Sequence, residues 1–152
     1  MTKIIKTKCN EDDFKYVRAI RDNVFIGEQG IAAAEESDEY DSDESTDFFV
    51  LFEDDKAVAT ARAAYMPFGV KLGRIAVLGV CRGKHYGAKI VSYAVEELFK
   101  NGAPCVHLES QCHAVGFYEK LGFTVCGEEL VDRGILHLPM IITPDTFRGE
   151  KL

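Results

Sequence analysis

The sequence predicts an α/β fold: a mixed, mostly antiparallel central sheet with helices on both faces. Three observations carry this. Apolar residues recur at helical spacing in the first quarter of the chain (Phe14, Val17, Ile20, Val24). From Asp47 the pattern becomes strand-like and is punctuated by tight turns. The stretch Val77–Phe99, VLGVCRGKHYGAKIVSYAVEELF, then reads as a strand, an Arg/Gly/Lys-rich turn and an amphipathic helix that leads to one more β-rich segment.

Each element has a local reason. KIIKTK (3–8) suits a short strand. Asn10 reads as a helix cap, with Asp12 and Asp13 in the first turn of a helix over 11–25. Residues 25–34 are interrupted by Gly27 and Gly30 and predict a loop or broken helix. FFVLFE, a turn at Asp54-Asp55 and a second strand over 56–65 predict a hairpin. Pro67 and Gly69 mark the next turn, before a third strand over 72–80. A helix over 85–100 buries Ile90, Ala94 and Leu98 and stops at Asn101-Gly102. PCVHLES (104–110), reached by that crossover helix, is expected to run parallel to the third strand. A helix over 112–121 ends before Gly122, and residues 123–127 and 137–142 form two last strands around a loop.

At 152 residues the chain is expected to be one domain, 1–152. It has no apolar run of bilayer length and no signal-peptide core, which predicts a soluble cytoplasmic protein with no membrane partner. Five cysteines without a CxxC pair predict reduced thiols, mostly buried or inert, and no metal site. The net charge of -7 is concentrated: residues 35–47, EESDEYDSDESTD, hold eight acidic and no basic residues, leaving 17 acidic against 18 basic elsewhere. A near-neutral remainder argues against nucleic acid as a partner. The acidic run reads as a solvated loop or as a rim that attracts an amine.

The turn before the 85–100 helix is suited to hold an anion. A helix start offers unpaired N–H groups and the positive end of the dipole, small Gly83 and Gly87 allow close approach, and Arg82 and Lys84 add charge.

These residues resemble the GCN5-related N-acetyltransferases over most of the chain. The family's loop pattern, Arg/Gln-x-x-Gly-x-Gly/Ala, stands as Arg82-Gly83-Lys84-His85-Tyr86-Gly87, with His85 at the first glycine position. A later motif stands as Gln111, Ala114 and FYEKLGF (117–123). IRDNVFIGEQGI, LGRIAVL, QCHAVGFY and DRGILHLPM resemble the ElaA- and YjcF-like subgroup; glucosamine-6-phosphate N-acetyltransferases are relatives in architecture. Gly73 stands where relatives often carry a carboxylate.

The resemblance implies acetyl transfer from acetyl-CoA, as co-substrate, to a primary amine, and one parallel strand pair that splays apart. Ile75, Ala76 and Val77 would pair with the pantetheine arm, with a backbone donor near Ala76 on the thioester carbonyl. Amides from Gly83 through Lys84, His85, Tyr86 and Gly87 to Ala88 would hold the pyrophosphate beside Arg82, and Gln111 and Tyr118 would complete the CoA site. Tyr118 matches the family's tyrosine that protonates the thiolate. An alkylamine of pKa about 10.4 costs roughly 4.6 kcal/mol to hold neutral at pH 7, so a base is useful; His137 is preferred over Glu28 and His113. Glu28 and Gln29 are placed at the acceptor pocket, and Arg21, Arg62 and Arg74 are candidates to bind an anionic acceptor such as an amino-sugar phosphate. The acidic run favours a polyamine or protein lysine instead. An acyl-CoA sensor without turnover is the alternative from another class; a P-loop nucleotide site lacks its Gly-Lys-Ser/Thr. Dimers are common in the family, so a homodimer is an allowed assembly.

Overall fold

The computed structural model describes residues 1–149. Eight strands form a single sheet in the order β1-β2-β3-β4-β5-β8-β6, with β7 paired to β8. The strands are β1 Thr2–Thr7, β2 Asp47–Glu53, β3 Lys56–Met66, β4 Gly69–Val77, β5 Val106–Gln111, β6 Thr124–Val125, β7 Leu130–Asp132 and β8 Ile135–Ile142. All pairings are antiparallel except β4 with β5, the pair joined through a helix. The helices are α1 Phe14–Arg21, α2 Ala33–Glu36, α3 Tyr86–Lys100 and α4 Val115–Leu121.

β2 explains how one sheet carries two cores. Its side chains alternate, and both sets are buried: Phe48, Val50 and Phe52 join Val17, Ile20, Val24 and Phe25 on one face, while Phe49 and Leu51 join Ile90, Val91, Ala94 and Leu98 of α3 on the other. The predicted near-continuous apolar run is thus the signature of a strand covered on both sides.

Several expected boundaries move. Asn10 is not a cap: the cap position falls to Asp13, which makes no capping hydrogen bond, while Asn10 Nδ2 donates to Glu44. The expected 11–25 helix is α-helical only to Arg21; residues Asp22–Glu28 widen into a π-helix, so the broken helix begins earlier than the glycines suggest. The final two strands are three, because Leu130–Asp132 and Ile135–Ile142 close around a two-residue turn at Arg133-Gly134. The cysteines are all free, but only Cys81 is buried; Cys112 and Cys126 are exposed.

The acidic run is the largest departure from expectation. Residues Ala33–Glu36 and Glu39–Ser42 are helical turns, the second with a capping box from Asp38 and Asp41. Glu36 is 0% exposed and accepts from Arg21 Nε at 2.8 Å and from Arg18; Asp41 accepts from Arg21 Nη1 at 2.7 Å and Arg62 Nη1 at 3.0 Å. Asp38 pairs with Arg62 and Arg74. Three acidic side chains of this run are therefore structural anchors, not a solvated loop.

Among the described residues no helix is long and apolar enough to cross a membrane, and no cluster of three His, Cys, Asp or Glu is placed to hold a metal ion.

Candidate active site

The site begins with a defect in the sheet. Between Thr60 and Arg62 on β3 the partner on β4 changes from Ala76 to Gly73, so β4 carries one extra residue, and Arg74 sits in the left-handed region at φ 47°. β4 pairs with β5 only at Val70↔Val106 and Lys71↔His107. Beyond Lys71 the two parallel strands part, which opens the sheet and leaves the far half of β4 with an unpaired edge. Leu78 N–H donates to Val58, so alternate amides, including that of Ala76, face β3. The expected donor near Ala76 is displaced by one: Val77 faces the open side, where its carbonyl accepts from Arg82 Nη2 at 2.9 Å.

Along that edge runs a groove of about 920 Å³. It is lined by Ile75, Ala76 and Val77 on one wall and by the turn and first residues of α3 at its end, and it reaches Gln111 on the opposite strand. Lys89 N–H to the His85 carbonyl, 3.0 Å, is the first helical bond of α3, so the amides from Gly83 to Ala88 have no backbone acceptor among the described residues. Gly87 keeps this end open, since a Cβ there would fill the space toward Phe117, at 3.4 Å, and Val77, at 3.7 Å. His85 adopts φ 65°, the backbone region glycine occupies freely, and its exposed side chain projects outward at the groove rim. Lys84 and Arg82 differ from expectation. Lys84 lines a separate cavity with Glu53 and Tyr86, while Arg82 is held by Glu28 at 2.8 and 3.0 Å.

Two smaller cavities continue from the groove into the sheet opening. The nearer, about 190 Å³, shares Gln29, Ile75 and Gln111 with the groove, and Tyr118 and His137 line it. The farther, about 310 Å³, shares Gly73, Arg74, Glu109, Arg133 and His137 with the nearer one and adds Asp38, Tyr40 and Arg62. Tyr118 and His137 thus line the same cavity, the one that adjoins the groove, and His137 also lines the farther one. Burial raises the Tyr118 hydroxyl above the ordinary tyrosine range, so this group, already neutral at pH 7, stays a neutral donor, and the residue as a whole is half-buried. His137 is 4% exposed, and its Nδ1–H donates to the Ile135 carbonyl at 2.7 Å. This bond fixes the tautomer and leaves Nε2 as the proton acceptor.

The residues expected to contact the acceptor are distributed unevenly. Gln29 lines the junction and pairs with Gln111 at 3.4 Å. Glu28 does not reach the inner cavities; it lies on the groove and neutralises Arg82. Arg21 is 0% exposed and fully engaged by Glu36 and Asp41, so it cannot touch an acceptor. Arg62 and Arg74 line the inner cavity but meet carboxylates of the acidic run. Burial, then the repulsion of Arg62 and Arg133, lowers the Arg74 guanidinium to about 10 against the opposing pull of Asp38. Two lining residues escaped sequence reading. Glu109, on the strand face of Gln111, lines both inner cavities beside Gly73 and is ion-paired with Lys71. Arg133 sits in the β7–β8 turn, where a type I′ geometry ordinarily selects Asn or Gly.

An extended thioester co-substrate is what such a groove and amide-lined turn fit, and the class that fold and site together define is that of acyl-CoA-dependent N-acyltransferases. The chain belongs to the acetyltransferase (GNAT) domain family, whose model matches residues 9–144. It is 34% identical over 137 residues to the Bacillus subtilis protein YyaT, covering 90% of this chain and 93% of that one. It is 34% identical over 133 residues to the N-acetyltransferase YjcF of the same organism, covering 87% and 94%. The crystal structure of Escherichia coli ElaA superposes with TM-score 0.82 at 23% identity, covering 93% of this chain and 99% of ElaA, a likeness of fold. The chain is therefore an acyl-CoA-dependent N-acetyltransferase of the GNAT family with YjcF among its relatives, and it shares its fold with ElaA.

Proposed function

We propose that the protein transfers an acetyl group from acetyl-CoA to the primary amine of a small molecule bound in the inner cavity. The observation that carries this reading is that Tyr118 and His137 line one cavity, which shares Gln29, Ile75 and Gln111 with the groove. Acetyl-CoA supplies an activated acyl group and a thiolate leaving group. The amides of Gly83 to Ala88 bind its phosphates, and Gly87 lets them approach the helix start. Val77 orients the pantetheine arm as an added strand once Arg82 yields its carbonyl. His137 Nε2 takes one proton from the ammonium of the acceptor, and the freed amine attacks the thioester carbonyl so that a C–N bond forms and the C–S bond breaks. Tyr118 gives its hydroxyl proton to the departing sulfur, and the second surplus proton on the nitrogen passes to the tyrosinate. Gln29 and Gln111, bonded to each other at 3.4 Å, line both compartments where they adjoin.

The arginines that pointed to an amino-sugar phosphate are largely matched by Glu36, Asp38 and Asp41, so glucosamine 6-phosphate enters as one test substrate among several. Half of the acidic run, Glu36, Asp38, Asp41 and Asp47, is matched by basic side chains of the protein, which weakens the case for a polyamine or protein lysine, while Glu35, Glu39, Asp43 and Glu44 remain exposed and keep both among the test substrates. Acetyl-CoA turnover with glucosamine 6-phosphate, spermidine and a lysine peptide, followed by CoA thiol release, tests the reading. Faster transfer to a small amine than to the peptide supports it; release with no amine, or with the peptide alone, contradicts it.

A further inference from the structure

The guanidinium groups around the inner cavity are not equivalent. Arg62 and Arg74 meet Asp38, Arg21 meets Glu36 and Asp41, and the nearby Lys71 meets Glu109. Arg133 is different. Its side chain is only 13% exposed, yet its sole ionic contact among the described residues is Asp132 Oδ2 at 3.8 Å, beyond hydrogen-bond length. Its Nε is buried without any acceptor, as is that of Arg62, but Arg62 bonds Asp38 and Asp41 through its other nitrogens and Arg133 makes no hydrogen bond to a carboxylate. A buried, always-charged group with unused donors is costly to keep, and natural structures rarely tolerate one without a purpose.

The backbone carries a second, independent cost at the same residue. Arg133 adopts φ 51°, followed by Gly134 at φ 76°, so an arginine occupies the first turn position, where Asn or Gly would fit with less strain. Strain and an unsatisfied cation thus coincide in one side chain that lines both inner cavities. His137 lines both as well, four residues along the same hairpin.

We propose that Arg133 receives an oxyanion of the acceptor, so that the substrate class is a small primary amine bearing a carboxylate or phosphate, held with its amine at His137 and its anion at Arg133. This rests on the reading of the junction as the site of acetyl transfer. The cavity of about 310 Å³ accommodates a molecule of amino-acid or amino-sugar-phosphate size. Of the three carboxylates that line it, Asp38 is matched by two arginines and Glu109 by Lys71, while Asp132 reaches Arg133 only at 3.8 Å and is itself 41% exposed, so the forked donors of Arg133 carry no hydrogen bond from the cavity's own carboxylates.

The test uses matched pairs of amines that differ only in the anion: glucosamine 6-phosphate against glucosamine, and β-alanine against its amide, with spermidine as a cationic control. The wild-type protein is compared with Arg133→Asn, which suits the turn, and with Arg133→Lys, which keeps the charge. The expected result is about a tenfold or greater preference for the anionic member of at least one pair. Arg133→Asn abolishes that preference through KM, with kcat within about twofold and Tm unchanged or higher, and Arg133→Lys restores part of it. Preference in the phosphate pair alone, or in the carboxylate pair alone, identifies the oxyanion. Equal use of both members, transfer confined to glucosamine, the amide or spermidine, or equal loss toward both members in Arg133→Asn overturns the proposal while leaving acetyl transfer standing. CoA binding with no transfer to any amine overturns both.

Discussion

Glu36→Gln probes the ion-pair network that seats residues 33–42 beside the acceptor cavity. Glu36 has no exposed surface and accepts from Arg21 Nε at 2.8 Å, with Arg18 on its other oxygen. Glutamine preserves the volume but leaves Arg21, also 0% exposed, with a charge only Asp41 can offset. Removing one member of a buried pair costs about 3–5 kcal/mol. At about 2–4 °C per kcal/mol for a chain of this size, the lower bound already lowers Tm by roughly 6–12 °C. The pH dependence adds a signature. Burial alone pushes the Glu36 carboxyl up, but Arg21 and then Arg18 outweigh it and hold it below its ordinary 4.5. A depressed pKa contributes stability that is fully present above about 4.5 and is lost as pH falls through the lower folded value. In that acid window each such group steepens the fall by up to about 1.4 kcal/mol per pH unit, and the variant lacks this contribution. Urea unfolding at pH 7 and at several values below pH 4.5 measures both effects. A variant within about 0.5 kcal/mol of wild type at pH 7, or with the same acid slope, refutes the assignment of Glu36 as the anchor of the network.

Three further outcomes follow from local geometry. Gly122→Ala should cost about 3 kcal/mol or more and lower expression of folded protein, because at φ 111° its Cβ would stand 2.0 Å from the Thr146 carbonyl oxygen; circular dichroism melting is the measurement. His85→Gly relieves a left-handed backbone worth about 1–2 kcal/mol against a glycine entropy cost of about 0.5–1, so Tm should rise by a few degrees with CoA affinity kept within about threefold, and a fall in Tm refutes the strain at that site. His137→Gln should lower kcat by about 100-fold while calorimetric CoA affinity stays within about twofold; unaltered turnover shows that Nε2 takes no proton.

Much of the fold was legible because its signals are local. The shift from helical to alternating spacing at Asp47, the Gly-rich turn before α3 and the Leu121-Gly122 stop each depend on a few adjacent residues. The parallel placement of β5 followed from a crossover helix. The β4 bulge did not announce itself, since the extra residue is defined only against β3, and Arg74 gives no hint of a positive φ. The site divided along the same line. Groove residues Ile75 to Val77 and Gly83 to Ala88 are consecutive, and the groove collects them all except Lys84, which points to the opposite side. The acceptor residues are far apart in sequence. Arg21, Arg62 and Arg74 looked like anion ligands and residues 35–47 like a cation trap; the fold brings the two sets onto each other, a cancellation that composition cannot reveal. Arg133 carried a readable signal, an arginine before glycine where a two-residue hairpin prefers asparagine, but it becomes meaningful only once Leu130–Asp132 is seen to be a strand.

The central claim is that Tyr118, in the cavity that adjoins the acyl-CoA groove, delivers a proton to the leaving sulfur. Tyr118→Phe keeps the ring and its packing against Phe117 and Phe123 and removes only the hydroxyl. Single-turnover CoA release from acetyl-CoA in the presence of an acceptor amine, measured beside the calorimetric Kd for CoA, is the most direct test. The account predicts a rate at least about 100-fold lower with Kd within about twofold of wild type. An unchanged rate, or a rate lost in proportion to CoA affinity, contradicts it.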